Sequence, residues 1–316
     1  MINKNLVSPP WADYELLDSG ENMKLERFGE IVLARPETQA LWKKQRPELW
    51  DTAHAVFSFS DKKGQWDMLK PVPDSWKLSF NDTQFLARIS SFKHTGIFPE
   101  QAPNWEWSRE RIASLCEQEE FSRKQSGLPN EVRTGDPRTF SQETARPSVL
   151  NLFGYTGIAS LVVAQAGAFV THVDASKQSL DWAHENARAS GIGEDKIRWI
   201  LDDALAFAKR EARRGAQYDG IILDPPAFGR GTKGEVWHIE ESLPELLSAI
   251  KEILSDKPGS FVLLSGYAAG FAPQSFAQVV ESVFEEGIKG EFGSLNLQES
   301  NSSRVISTGI YVRFVK

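Results

Sequence analysis

The chain has 316 residues, 41% of them hydrophobic and 25% charged, with a net charge of −7 and a pI near 5.4. That composition fits a folded globular protein and excludes chain-wide disorder, and it argues against a surface that is cationic all over, as a general nucleic-acid glove requires. The single Cys116 excludes an internal disulfide, and the five histidines (His54, His94, His172, His184, His238) have no metal-ligand spacing, so no metal is expected. No run approaches the roughly 18 apolar residues of a membrane span and the start lacks a secretory apolar core, so a cytoplasmic protein is expected.

From Tyr14 to about Pro103 the apolar runs are short (Ile31-Val32-Leu33, Ala55 to Phe59) and are broken by Gly, Pro and Asp-Lys-Lys-Gly turns, which predicts a small β-rich domain over 1–104. Trp107, Ile112, Leu115 and Cys116 recur at near-helical intervals, so a helix is expected over Trp105 to Phe121. Ser122 to Pro147 is polar and rich in Arg, Gln, Gly and Pro, and reads equally as an exposed lid or a plain linker; helix and connection together make up 105–147.

Over 148–316 the rhythm is strand, turn, helix, five times over. Strands are predicted at Val149–Leu152, Phe169–Val173, Ile197–Leu201, Gly220–Leu223 and Phe261–Leu264, with helices at Ile158–Ala166, Leu180–Ala189, Ala204–Ala212, Leu243–Leu254 and Phe276–Phe284. Such alternation means a parallel, doubly wound α/β sheet covered on both faces, and Leu295–Leu297 with Ile310–Val315 can close it as an antiparallel pair.

In such a sheet a ligand lies across the carboxyl ends of the strands, and suitable residues stand at three of them. Gly154 and Gly157 let backbone approach a ligand, and Thr156 and the helix after Gly157 offer N–H donors. Asp174, 23 residues beyond Asn151, ends the second strand, where a carboxylate can accept from ribose hydroxyls; Asp203, just before Ala204, can accept from an adenine amine. Turn glycines and helix caps would explain each residue singly; three at the correct ends point to an adenosyl ligand. A nicotinamide dinucleotide would use Asp174 as well, but its turn wants three glycines under a pyrophosphate, whereas here only Gly154-x-x-Gly157 stands between bulky Phe153 and Tyr155.

At these residues the chain resembles class I S-adenosylmethionine-dependent methyltransferases, and among them the bacterial branch that modifies large-subunit ribosomal RNA. Asn151-Leu152-Phe153-Gly154-Tyr155-Thr156-Gly157, Val173-Asp174-Ala175-Ser176, Asp203-Ala204 and Leu223-Asp224-Pro225-Pro226-Ala227-Phe228 carry the resemblance, which runs from about Trp105 to the end. It implies a Rossmann-like, seven-stranded mixed sheet, with the turn holding the methionine part of the cofactor, Asp174 the ribose and Asp203 the adenine. His94 to Gln101 is similar to a Lys-Thr-Gly-Phe-Phe-x-Asp-Gln segment of that branch, which implies that Thr95 to Gln101 flank the cofactor.

Methyl transfer is an in-line displacement, so the protein must chiefly align a nucleophile and exclude water. Asp224 and the Pro225 carbonyl are expected to fix an amine of a base, and Phe228 to stack on that base, although Ala227 stands where amino-group methyltransferases commonly place an aromatic directly after Pro-Pro. No cysteine follows Asp224 or the fifth strand, where Ser265-Gly266-Tyr267 stands, and Cys116 reads as core, so the reaction is expected to run without a thiolate, at nitrogen if the acceptor is a base. Gly229 to Gly234 reads as a loop that moves over the substrate and presents Arg230 and Lys233 to phosphates, or as a plain flexible connection, and His238 as a surface or helix-start residue. Lys209-Arg210 with Arg213-Arg214 reads as a solvated helix end or a local basic face. The expected function is therefore methylation of an RNA base, with a protein or small-molecule acceptor, or a non-catalytic S-adenosylmethionine-binding module, as alternatives.

Overall fold

The computed structural model describes residues 1–8, 10–60, 63–90, 92–126, 146–232, 234–267, 270–284 and 288–316. The Ser122–Pro147 connection lies outside the described residues from 127 to 145, as does Lys233. The chain divides into two compact units: one of Met1–Lys4, Asn104–Ser294 and Gly309–Lys316, the other of Asn5–Pro103 and Leu295–Thr308. Among the described residues no helix is long and apolar enough to cross a membrane.

β1 (Ile2–Asn3) belongs to the larger unit; the smaller one opens with β2 (Leu6–Ser8), then builds a five-stranded sheet in the order β3-β4-β5-β6-β7 from β3 (Tyr14–Gly20), β4 (Met23–Phe28), β5 (Ile31–Pro36), β6 (Ala55–Ser60) and β7 (Lys63–Met68). β8 (Trp76–Phe80) and β9 (Thr83–Ala87) form a separate hairpin. The turn between β3 and β4 places Glu21 and Asn22 at φ 55° and 61°, the two consecutive left-handed residues that a tight hairpin of this twist needs. The interior of this unit includes charge: Arg35 donates to buried Glu26 at 2.6 and 2.8 Å and the Tyr14 hydroxyl donates to the same carboxylate at 3.0 Å, so these three buried groups satisfy one another. The segment Leu295–Thr308 belongs here although it is distant in sequence: Leu295 to Leu297 pair in parallel with Leu6 to Ser8, and the Ser300 amide donates to the Leu16 carbonyl at 2.9 Å.

The larger unit holds the helices α1 (Ala102–Ser126, from Asn104 onward), α2 (Ile158–Gln165), α3 (Lys177–Ala189), α4 (Ala204–Arg213), α5 (Ile239–Ile253) and α6 (Pro273–Phe284). Its strands are β10 (Ser148–Leu152), β11 (Phe169–Asp174), β12 (Ile197–Leu201), β13 (Gly220–Leu223) and β16 (Phe261–Gly266), and its hairpin is β14 (Phe228–Arg230) with β15 (Val236–His238). β17 (Gly290–Gln298) and β18 (Val305–Val315) run along the chain from one unit into the other. The sheet order is β17-β18-β16-β13-β10-β11-β12, seven strands, with the short β1 and β2 extending it at β17. Strands β10 to β13 and β16 are mutually parallel and β18 is antiparallel to β16, giving the mixed sheet that the resemblance implied.

Period-two alternation distributes the core. Leu150, Leu152, Ile221, Leu223, Val262 and Leu264 face a layer with Phe207 of α4, Leu246 and Ile250 of α5 and Val280 of α6. Val149, Ile222, Phe261 and Leu263 point the other way, against Ile112 and Leu115 of α1 and Leu161 of α2. All of these side chains are buried, and at about 25 cal/mol per Å2 their burial is the main stabilisation of the unit. Strand order reverses at β10, whose neighbours are β11 on one side and β13 on the other, so the crevice at its carboxyl end is where such sheets bind ligands.

Candidate active site

The turn leaving β10 is built of unusual backbone. Phe153 (φ 57°) and Tyr155 (φ 49°) are both left-handed, and Gly157 (φ 85°) opens α2. Left-handed geometry at a non-glycine residue costs on the order of 1–2 kcal/mol and persists only where surroundings impose it. Here the Gly154 amide donates to the Val173 carbonyl at 3.0 Å, the Tyr155 amide to Asp174 Oδ2 at 2.8 Å, and the Gly157 amide to the Gly154 carbonyl at 2.9 Å. From below, Asn186 of α3 donates to the carbonyl of buried Thr156 at 2.8 Å.

Gly154 is required for a steric reason that the sequence does not disclose. A β-carbon on it would lie 2.3 Å from Cε1 of His172. That imidazole is fully buried on β11, opposite Asn151 in the parallel ladder, and desolvation lowers its pKa to about 3, so it stays neutral. Asn151 Nδ2 donates to Ser160 Oγ at 2.8 Å, and Ser160 Oγ lies 3.0 Å from His172 Nδ1. Asn151, named from its place in the motif, thus engages its carboxamide with Ser160 and underpins the turn. Phe153 likewise turns its ring onto Trp237, 4.9 Å between centroids.

Asp174 ends β11 with both oxygens in use by backbone: Oδ2 accepts from Tyr155 N, and Oδ1 from Ser176 N, each at 2.8 Å. Each oxygen keeps a second lone pair, so the carboxylate can still accept from two hydroxyls. Burial raises its pKa in spite of those two bonds. Ala175 follows, half-buried, before Ser176 caps α3. At the third strand end Asp202 is taken up by Arg210 at 2.6 Å, while Asp203 caps α4 through Oδ1, which accepts from Ala206 N at 2.8 Å; buried Ala204 follows. Asp203 Oδ2 faces the hairpin tip, 3.0 Å from where a β-carbon on Gly231 would stand. The basic helix end is largely paired, Lys209 with Glu245 at 2.6 Å, Arg210 as above and Arg214 with Glu211 at 3.1 Å.

Asp224 leaves β13 on the other side of the crevice, its carboxyl pushed up to about 6 by burial, with a hydrogen bond from Ser265 at the end of β16 acting in the opposite direction. Pro225 is buried, the Pro226 carbonyl accepts from Trp237 Nε1 at 2.7 Å, and the Ala227 carbonyl accepts from the Ile239 amide at 3.1 Å. The Gly229–Gly234 segment, expected as a loop, is a hairpin at its base: Phe228 pairs with His238, Gly229 with Trp237, and Arg230 with Val236. Its glycines mask the strand pattern, and the reason it pairs is Trp237, whose buried ring holds the inner face. No role for Trp237 is apparent from the sequence; the structure buries its ring against Phe153 and ties its indole N–H to the Pro226 carbonyl. Changing Trp237 to Phe keeps the ring on Phe153 and removes the N–H that holds the Pro226 carbonyl. The expected result is about a tenfold lower kcat with affinity for S-adenosylhomocysteine within about twofold, by steady-state kinetics and calorimetry.

A left-handed, glycine-dependent turn at the carboxyl end of β10, a carboxylate at the end of β11 with spare acceptor capacity, and a desolvated carboxyl at the end of the neighbouring β13 are the features of an α/β protein that binds a nucleoside-type ligand next to a second substrate. A family model described as S-adenosylmethionine-dependent methyltransferase matches residues 114–257. The crystal structure of the SAM-dependent methyltransferase from Agrobacterium tumefaciens is 37% identical and superposes with a TM-score of 0.86 over 100% of this chain and 94% of that one. The chain belongs to the S-adenosylmethionine-dependent methyltransferase family. It is also 35% identical over 137 residues (42% of this chain, 19% of the relative) to "Ribosomal RNA large subunit methyltransferase K/L" of Pseudoalteromonas translucida (strain TAC 125). To the protein of that name from Shewanella pealeana it is 37% identical over 120 residues, 37% of this chain and 16% of the relative. The chain thus spans less than a fifth of the length of these curated relatives. The family's cofactor is S-adenosylmethionine, and the residues present fit it: a glycine-dependent turn with no side chain at Gly154 and Gly157, and carboxylates at the next two strand ends with acceptor capacity left.

Proposed function

We propose that this protein transfers a methyl group from S-adenosylmethionine to a nitrogen of an RNA base, with ribosomal RNA as the substrate class. The observation that carries this reading is Asp224, a desolvated carboxyl held by Ser265 at the carboxyl ends of β13 and β16, beside the β10 turn. The substrate class is supported by the names of the curated relatives.

In this reading Asn151, Phe153, Gly154, Tyr155, Thr156 and Gly157 shape the cradle of the methionine part, Asp174 with Ala175 takes the ribose hydroxyls, and Asp203 with Ala204 the adenine. When bound, the cofactor supplies an electrophilic methyl carbon on a sulfonium. The work left to the chain is positioning. Asp224 and the Pro225 carbonyl accept hydrogen bonds from the acceptor amine and turn its lone pair toward the crevice. A carboxylate with a pKa near 6 can also take the proton that nitrogen loses on methylation. Phe228, half exposed on β14, stacks on the extruded base, and Arg230 on the same strand meets backbone phosphate, as Lys233 would.

Cys116 takes no part. Its Sγ lies 3.8 Å from the Ala166 carbonyl, in the turn that enters β11, at the amino end of the strand whose other end carries Asp174, roughly 20 Å of extended chain away. Burial also raises its thiol pKa, the opposite of what a nucleophile needs. Extract incubated with methyl-labelled S-adenosylmethionine should lose label to nuclease and keep it after protease, and mass spectrometry of the nucleosides then gives the modified atom; label that protease alone removes overturns the reading. Asp174→Ala should weaken S-adenosylhomocysteine binding by about 10–100-fold in calorimetry, because it removes a bidentate acceptor and loosens the Tyr155 amide.

A further inference from the structure

The hairpin of β14 and β15 has two dissimilar faces. Inward, Gly229 lies opposite Trp237, and Trp237 is fixed by the Pro226 carbonyl and the Phe153 ring. Outward, Phe228 lies opposite His238 and Arg230 opposite Val236, all four exposed, with Phe228 at 53%. The Phe228 and His238 rings stand 5.1 Å apart, tilted by 59°. Burying a phenylalanine gains roughly 1.5–3 kcal/mol, so a ring left in water on a strand whose other face is anchored is available to something else. Two planar rings and a guanidinium side by side, continuous with the Asp224-Pro225-Pro226 corner, match the composition of an unpaired nucleotide: a π-face and a phosphate.

We propose that this outward face is a docking site for an unpaired nucleotide of the substrate, its base lying on Phe228 and His238 and its phosphate on Arg230, which makes His238 a substrate-contacting residue. The proposal rests on the reading that the substrate is RNA. His238 precedes α5 as its N-cap but makes no side-chain cap bond, so removing its ring leaves the helix start intact. The inward anchor keeps both rings in place before substrate arrives, so little ordering is needed on binding.

The test is methyl transfer into total RNA from cells lacking the gene, with wild type, His238→Ala, His238→Phe and Arg230→Gln, each also titrated with S-adenosylhomocysteine. His238→Ala should raise KM for RNA about tenfold at nearly constant kcat and unchanged cofactor affinity, and His238→Phe should restore it. Arg230→Gln should lower the dependence of KM on salt by about one counterion. If wild type labels RNA and His238→Ala leaves KM unchanged, or if His238→Phe fails to restore it, the docking site is wrong while the RNA reading stands. If wild type labels only protein, both fall.

Discussion

Asp224→Asn is expected to lower kcat/KM by about 10²–10³-fold while S-adenosylhomocysteine still binds, because the amide keeps the volume of the carboxylate and offers an N–H where the acceptor amine needs an acceptor. The wild-type rate should fall as pH drops through about 6, where the buried carboxyl takes up its proton. Stability should move in the opposite sense. The folded-state pKa of about 6 lies above the unfolded value, so between pH of about 4 and 6 the folded state binds more protons, and stability falls as pH rises through that window and is flat above it. The asparagine variant is free of this penalty, roughly 2–3 kcal/mol, and should melt about 3–5 °C higher than wild type at pH 8 but not at pH 4. A melting difference that does not change with pH would show that Asp224 is not the desolvated group.

Gly154→Ala is the second large effect. With 2.3 Å between the new methyl and His172 Cε1, either the imidazole or the turn must move. The imidazole is confined by Ser160 on one side and by the Trp199 ring, 4.8 Å away, on another, so the turn is expected to give. Destabilisation of about 1–3 kcal/mol is expected, with loss of S-adenosylhomocysteine binding in calorimetry. The pair Gly154→Ala/His172→Ala should recover part of both losses, since the clash is removed with the ring. Additive losses in the double variant would mean that the turn is sensitive to alanine for a reason other than this contact.

The larger unit was legible because its signals are local. Strand and helix periods from Val149 to Phe284 fall within a few residues of the observed elements, and Asp203 and Ser176 announce α4 and α3 as caps whether or not they also serve a ligand. Non-local features were not legible. Asn151, Ser160 and His172 read as three unrelated polar residues until parallel pairing sets Asn151 beside His172. The hairpin at Phe228 was hidden by glycines that look like a loop, and only the Trp237 contact to Phe153, more than eighty residues earlier, explains its pairing. Leu295–Thr308 could not be assigned to the smaller unit from sequence, because its partners Leu6 and Leu16 lie nearly 300 residues upstream.

That last pairing bears on how the chain is made. Among the described residues Ile2 and Asn3 find their ladder partners at Glu291 and Phe292, and Leu6 at Leu295. At ribosomal speeds of about 5–20 residues per second, both early strands wait roughly 15–60 seconds for a neighbour. Neither unit can therefore be completed before residues 291–297 have left the ribosome, and the folding of the early strands is coupled to that distant segment. Nascent chains stalled after Phe284 should lose their first ten residues to protease, and full-length released chains should keep them; equal protection in both would mean that the opening strands dock by another route.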